Sequence, residues 1–382
     1  MRPFLALFIL LVTTRCAVAQ QPDDWNRLRY YAHSIGVDSL CARPDAVCLN
    51  QYFTQIVYGH LPRRMGYQGV PEQLDTARIA RLTRQFLAGA TERGPDWCSL
   101  LDSMESHDRN YLALKAYCMR CLVDDYMADS LTIEQVQETL NTYRWLNRFV
   151  ADKRIVINLP GASLRLIDRR GNTLLSSRVV VGKPETPTPN FTAYVPSLVM
   201  YPYWNVPRSI MVKELLPKIR KNPVVALDLL NMQIVDARGQ EVDPAKVDWA
   251  APAKAFPYRL RQSTGCGNAL GVLKFNVTDP YDIYLHDTNV RRLFKAEDRF
   301  LSHGCIRVEK PAELANLLLG RTRFGADYLN NCPVDASPKT LPLPQAVPVL
   351  ITYNVLDMDD AGAIRVYKDV YRFWPAALWA RH

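Results

Sequence analysis

The sequence predicts an α+β protein. A helical segment over about 20–130 is followed by a connecting helix at 131–152, a β-rich, sandwich-like unit at 153–372 and a tail at 373–382. Three observations carry this. Apolar residues in the first third recur at helical spacing. From Arg154 the spacing shortens to that of strands. Between the two, Thr132-Ile133-Glu134-Gln135 has the form of a capping box, in which a threonine hydroxyl and a glutamine side chain satisfy each other's backbone N–H groups.

Each element follows from its residues. Arg2, the apolar run Phe4 to Val12 and Ala17-Val18-Ala19 read as a cleavable export leader over 1–19. The run is too short to span a bilayer, and no later one is long enough, so the mature chain is expected to lack a transmembrane segment and to work in the periplasm or cell envelope. Leu49 to Leu61 reads as a helix ending near Gly59. Ile79, Leu82, Phe86 and Leu87 mark a second, and Leu112, Lys115-Ala116, Met119 and Val123 a third. After the capping box, Ile133, Val136, Leu140, Tyr143 and Leu146 form an apolar stripe. Strands are expected at Ile155–Leu159, Ser163–Ile167, Leu174–Val181, Val272–Val277, Ile283–Leu285, Val347–Tyr353 and Ile364–Tyr367. The stretch 209–265 departs from this pattern, with helical spacing over Ile210–Arg220 and Pro223–Leu230 followed by polar turns.

The formal net charge of +9 falls to about +7 without Arg2 and Arg15. No clustered basic run accompanies it, which argues against nucleic acid; a mild basic excess suits an anionic polymer. Without Cys16 in the leader, eight cysteines remain, and an oxidising compartment would pair some of them. Cys41 with Cys48 is the first candidate pair. Cys118-Met119-Arg120-Cys121 has C-x-x-C spacing, but no second such pair or histidine pair accompanies it, so a structural role is expected and no metal site.

The chemistry centres on Ser302-His303-Gly304-Cys305-Ile306-Arg307. A thiol attacks an acyl carbon as thiolate, and a histidine within reach can take its proton. Gly304 permits a tight turn whose successive N–H groups, those of Gly304 and Cys305, can face a developing oxyanion. His-Gly-Cys alone also fits a core cysteine beside a capping glycine. The wider pattern is more specific: His286 within Tyr284-Leu285-His286-Asp287-Thr288, then sixteen residues to Ser302-His303-Gly304-Cys305, then a hydrophobic residue and Arg307.

This pattern resembles the signature of the L,D-transpeptidase catalytic domain family. Tyr203-Trp204-Asn205-Val206-Pro207, Val247-Asp248-Trp249 and Asn268-Ala269-Leu270-Gly271 resemble its large periplasmic branch. The resemblance implies a β-rich catalytic domain over 153–372, a capping subdomain at 209–265 and a helical scaffold before them. It implies Cys305 as nucleophile and His286 as base and acid. The other ring nitrogen of His286 needs an acceptor to fix the tautomer, and a backbone carbonyl near Asp287 is expected to supply it. Gly304, Tyr284, His303 and Ser302 are expected around the oxyanion pocket. Arg307, Trp204 and Asn205 are expected to meet substrate. His303 is a competing base, because residues two apart share a face if the strand runs regularly through Gly304. The expected reaction joins donor and acceptor stem peptides of peptidoglycan through a Cys305 thioester, giving links between two third-position residues without a cofactor. Carbapenem-type inhibitors are expected to acylate the same thiol. Two other outcomes remain open: water as acceptor, giving an L,D-carboxypeptidase or endopeptidase, and a non-catalytic wall-binding module.

Overall fold

The computed structural model describes residues 24–38, 41–88, 100–101, 104–106, 108–123, 131–325, 327–330, 333, 336–359 and 361–375. The expected leader, Cys98 and Cys332 lie outside them.

The helical part comprises α1 (Asp24–Ser34), α2 (Ala46–Tyr58), the short strand β1 (Met65–Gln68), α3 (Thr76–Ala88), α4 (Arg109–Val123) and α5 (Ile133–Trp145). Asp45 caps α2 by accepting from the Cys48 N–H, and the helix stops at Gly59. Cys41 and Cys48 are disulfide-bonded. Leu28, Leu49, Tyr52, Phe53, Ile56 and Ile79 close one core among α1, α2 and α3.

On α4 the stripe expected from sequence lies on the wrong face. Tyr111, Leu114 and Cys118 are buried, whereas Leu112 and Val123 are 48% and 86% exposed. Both faces carry apolar residues at helical spacing, and the buried one holds Tyr111. Leu87 on α3 is likewise 50% exposed. The capping box of α5 forms as expected, with the Gln135 N–H donating to Thr132 Oγ1 and the Thr132 N–H to Gln135 Oε1. α5 then bridges two cores. Arg144, fully buried, donates to the Gln55 and Ile35 carbonyls on the helical side. Tyr143 donates to Asp357 Oδ1 at 2.5 Å on the other side.

The chain continues through β2 (Lys153–Asn158), β3 (Ser163–Asp168), β4 (Thr173–Gly182) and β5 (Asn190–Met200). An excursion follows: β6 (Trp204–Asn205), α6 (Arg208–Ile210), a π-helical turn (Met211–Leu215), α7 (Leu216–Ile219), α8 (Pro223–Leu229), β7 (Met232–Val235) and β8 (Arg259–Gln262). It carries a core of its own, centred on Met211, Leu216, Ile219, Ile234, Phe256 and Leu260. Its strands pair in the order β6-β8-β7, and β7 and β8 fall where the sequence suggested only polar turns. The chain then adds β9 (Leu273–Asn276), β10 (Leu285–His286), β11 (Phe300–Ser302), β12 (Ile306–Val308), α9 (Pro311–Leu319), β13 (Lys339–Thr352), β14 (Leu356–Met358) and β15 (Ile364–Val366).

The main sheet runs β1-β5-β13-β2-β3-β4-β12-β10-β9, and β9 also pairs with β5. The layering expected from sequence therefore arises from one sheet returning on itself, which leaves β5 and β9 no open edge there. Pro196 hides β5 in the sequence, because a proline argues against a central strand. Here it falls where the β5–β13 register shifts, between the pairs Val347–Val195 and Pro342–Ser197.

Candidate active site

Three strands in register place the site. Phe275 on β9, Leu285 on β10 and Ile306 on β12 are paired in a row, and all three are fully buried in the core. Side chains alternate along strands, so the next row points the other way. That row is Lys274, His286 and Arg307, also paired across the three strands. One step back, Cys305 stands beside Tyr284, where the Ile306 N–H donates to the Tyr284 carbonyl at 3.1 Å. Cys305, Tyr284 and His286 thus share one face, although nineteen residues separate the two motifs.

The Cys305 thiol is half-buried and held on several sides. It donates to the carbonyl of Asp282 at 3.7 Å, and Asp282 has a left-handed backbone, with φ of 57°. The Tyr284 N–H and hydroxyl also bond the sulfur. Burial pushes the thiol above its ordinary value, against the pull of Tyr284 and Lys274. Burial and the neighbouring sulfur push the Tyr284 hydroxyl up as well, so it stays a donor, and the Trp204 indole donates to it in turn. The Lys274 ammonium lies 4.2 Å from the centre of the Tyr284 ring.

His286 is 4% exposed. Its Nδ1 lies 2.5 Å from the Asp287 carbonyl, the kind of acceptor expected for it, and the Leu270 carbonyl also faces the ring. Burial, then the charges of Arg307 and Lys274, push its pKa down to about 3, so the imidazole is neutral at ordinary pH. The Asp287 carboxylate is itself pinned. It accepts from the Val272 N–H at 3.0 Å and from Arg291 at 2.7 Å. Gly271 (φ of 62°) passes so close that an added Cβ would stand 2.2 Å from Asp287 Oδ2. The glycine of Asn268-Ala269-Leu270-Gly271 is therefore required by contact as well as by backbone angle.

The turn from Ser302 to Cys305 is braced internally. Ser302 Oγ donates to the Cys305 carbonyl at 2.6 Å and accepts from the Gly304 N–H at 3.1 Å. The Gly304 N–H, expected to face an oxyanion, is bonded to the Ser302 hydroxyl in this structure. The Tyr284 N–H and hydroxyl are donors at the sulfur itself. Buried Thr188 donates to the Gly304 carbonyl at 2.7 Å and accepts from the Gly182 N–H at 2.9 Å.

Gly304 has φ of 120°, so the strand is not regular there, and His303 leaves the face of Cys305. Its Nε2 meets Glu214 Oε1 at 2.6 Å, joining the turn to the π-helical segment of the excursion. Arg307 is partly buried, and its Nε lacks a hydrogen-bond partner. Trp204 reaches the site through Tyr284, whereas Asn205, next along β6, is exposed.

Sequence reading missed Lys274, Glu214 and Thr188. Alternation between core residues Leu273 and Phe275 puts Lys274 on the outer face, but only the β9–β10 register brings it to His286. Among the described residues no cluster of three or more His, Cys, Asp or Glu side chains could hold a metal ion. None of their helices is long and apolar enough to cross a membrane. Cys266 is disulfide-bonded, while Cys118 and Cys121 are free thiols.

Residues 152–336 match the YkuD family model, the L,D-transpeptidase catalytic domain. A curated Haemophilus influenzae protein named "Putative L,D-transpeptidase" is 35% identical over 219 residues, covering 57% of this chain and 44% of that protein. The chain thus spans less than half the length of this relative. Among solved structures, an L,D-transpeptidase from Mycobacterium smegmatis overlaps 53% of this chain and 59% of its own at 13% identity and a TM-score of 0.27. The catalytic domain of the Enterococcus faecium L,D-transpeptidase acylated by ertapenem overlaps 53% and 97% at 14% identity, with the same TM-score of 0.27.

Proposed function

We propose that this protein is a peptidoglycan L,D-transpeptidase that forms 3-3 cross-links through a Cys305 thioester, in the periplasm or cell envelope. The observation that carries this reading is the shared face of Cys305, Tyr284 and His286, inside a segment of the matching family. In the resting site both thiol and imidazole are neutral, because burial disfavours each ion. Attack and proton transfer are therefore coupled. As the sulfur adds to the carbonyl between an L-centre and the terminal D-residue of a donor stem, His286 takes the thiol proton. The Cys305 N–H and the Tyr284 hydroxyl donate to the oxyanion. Collapse breaks the C–N bond, His286 returns the proton to the leaving amine, and the D-residue departs. The side-chain amine of a diamino acid on a neighbouring stem then adds to the thioester, again losing its proton to His286. The C–S bond breaks, and the thiol is restored.

The excursion, tied to the catalytic turn by His303 and Glu214, is read as a cap that limits water at this second step. The helical segment is read as the scaffold holding the catalytic unit. Carbapenems are expected to acylate Cys305. Incubating the full chain with purified disaccharide-tetrapeptide tests the reading, with products weighed by mass spectrometry. Cross-linked dimers with loss of the terminal residue are expected. Monomeric tripeptide alone would make the protein a hydrolase, and unchanged tetrapeptide would contradict the enzyme assignment.

A further inference from the structure

We propose that Lys274 and Arg307 together seat the free α-carboxylate of the donor's terminal residue, so that the site selects peptides by an unblocked C-terminus. The proposal rests on the transpeptidase reading and names the chemistry by which that site would choose its donor.

Position comes first. Lys274 and Arg307 flank His286 in one cross-strand row, on β9 and β12 respectively. Arg307 is two residues beyond Cys305. Lys274 lies over the ring of Tyr284, whose hydroxyl bonds the sulfur. In a peptide the terminal carboxyl carbon is three bonds beyond the scissile carbonyl carbon. With that carbonyl at Cys305, the carboxylate falls near the neighbouring row.

Charge comes second. Among the described residues, neither Lys274 nor Arg307 belongs to a salt bridge, whereas Arg148, Arg178, Arg291 and Arg365 each do. Asp282 is the carboxylate that Lys274 senses, at a distance beyond an ion pair. Arg307 also keeps a buried Nε without a partner. Two partly buried cations beside a neutral histidine are costly unless an anion arrives to share them. Burial disfavours both charges, which fits a site completed by its ligand. A seated carboxylate would also offset the two charges that oppose protonation of His286, so recognition would help the imidazole take the thiol proton. When the terminal residue leaves, its carboxylate leaves with it, and the seat is free for the next donor.

The test is equilibrium binding by calorimetry to the full chain carrying Cys305→Ser, which stops turnover. The probes are two tetrapeptide stems that differ only at the terminal carboxyl, one free and one amidated. Free acid is expected to bind about tenfold to a hundredfold more tightly, the range for a hydrogen bond to a charged group. Lys274→Met should shrink that preference to within about twofold, and Lys274→Arg should retain most of it. Equal binding of the two stems would overturn the proposal, as would an equal loss for both in Lys274→Met. Carboxylate-dependent binding without any transfer by the unsubstituted chain would sink the transpeptidase reading and leave the seat standing. Transfer indifferent to amidation would do the reverse.

Discussion

Between two cations and out of water, His286 is held neutral, and this has a consequence for stability as well as chemistry. Its ordinary value of 6.5 applies to the unfolded chain, against about 3 in the fold. Between these limits the unfolded chain binds a proton that the fold does not. Stability from this group is therefore whole above pH 6.5 and falls as the pH drops toward 3, by about 1.4 kcal/mol per pH unit within the window. Urea denaturation of the full chain at pH 7 and pH 4.5 should show the fall, and His286→Gln should flatten it. An unchanged slope in that variant would count against a buried neutral imidazole. In catalysis, His286→Gln should slow carbapenem acylation by roughly 10²–10⁴. His303→Gln, whose ring is turned to Glu214, should cost less than about tenfold on the same general-base scale. A larger loss in the His303 variant would reverse the assignment. Strand alternation within Tyr284-Leu285-His286 is local, so the common face of Tyr284 and His286 was readable from sequence. The direction of His303 was not, because it depends on the positive φ at Gly304.

At the scale of elements, the segment Asn268–Gly271 supports the histidine from behind. Gly271 leaves room for Asp287, whose backbone carbonyl faces Nδ1 of His286. Gly271→Ala would meet both the steric contact and the left-handed φ. It should destabilise the chain by about 1–3 kcal/mol and slow acylation, since the carbonyl would shift with its residue. Thermal unfolding and acylation rates check this together; wild-type values for both would mean that the loop yields without consequence. The elements fixed by local chemistry were legible, such as the capping box at Thr132 and the end of α2 at Gly59. Those fixed by long-range pairing were not. β5 is interrupted by Pro196, and the two-residue β6 has too few positions to show a period. The buried face of α4 was misjudged because a helix with apolar residues all round does not declare which side meets the core.

Across the whole molecule, α5 ties the helical core to the sheet through polar contacts on both of its sides. Tyr143 donates to Asp357 and accepts from Arg165 at 2.8 Å, all in buried or nearly buried surroundings. Tyr143→Phe removes the shared partner of both charges. It should cost about 1–3 kcal/mol while leaving the acylation rate close to wild type, because the site lies elsewhere on the sheet. A loss of acylation without loss of stability would instead couple α5 to the catalytic face. The closed sheet explains how distant motifs converge: β9, β10 and β12 are successive neighbours in space although the chain makes long turns between them. Whether Cys305 carries the acyl group is read by intact-mass spectrometry of the full chain mixed with disaccharide-tetrapeptide. A transient adduct equal to the donor less its terminal residue and water is expected, mapped by digestion to Cys305 and absent from Cys305→Ala. Turnover retained in Cys305→Ala, or an adduct on another residue, would contradict that role.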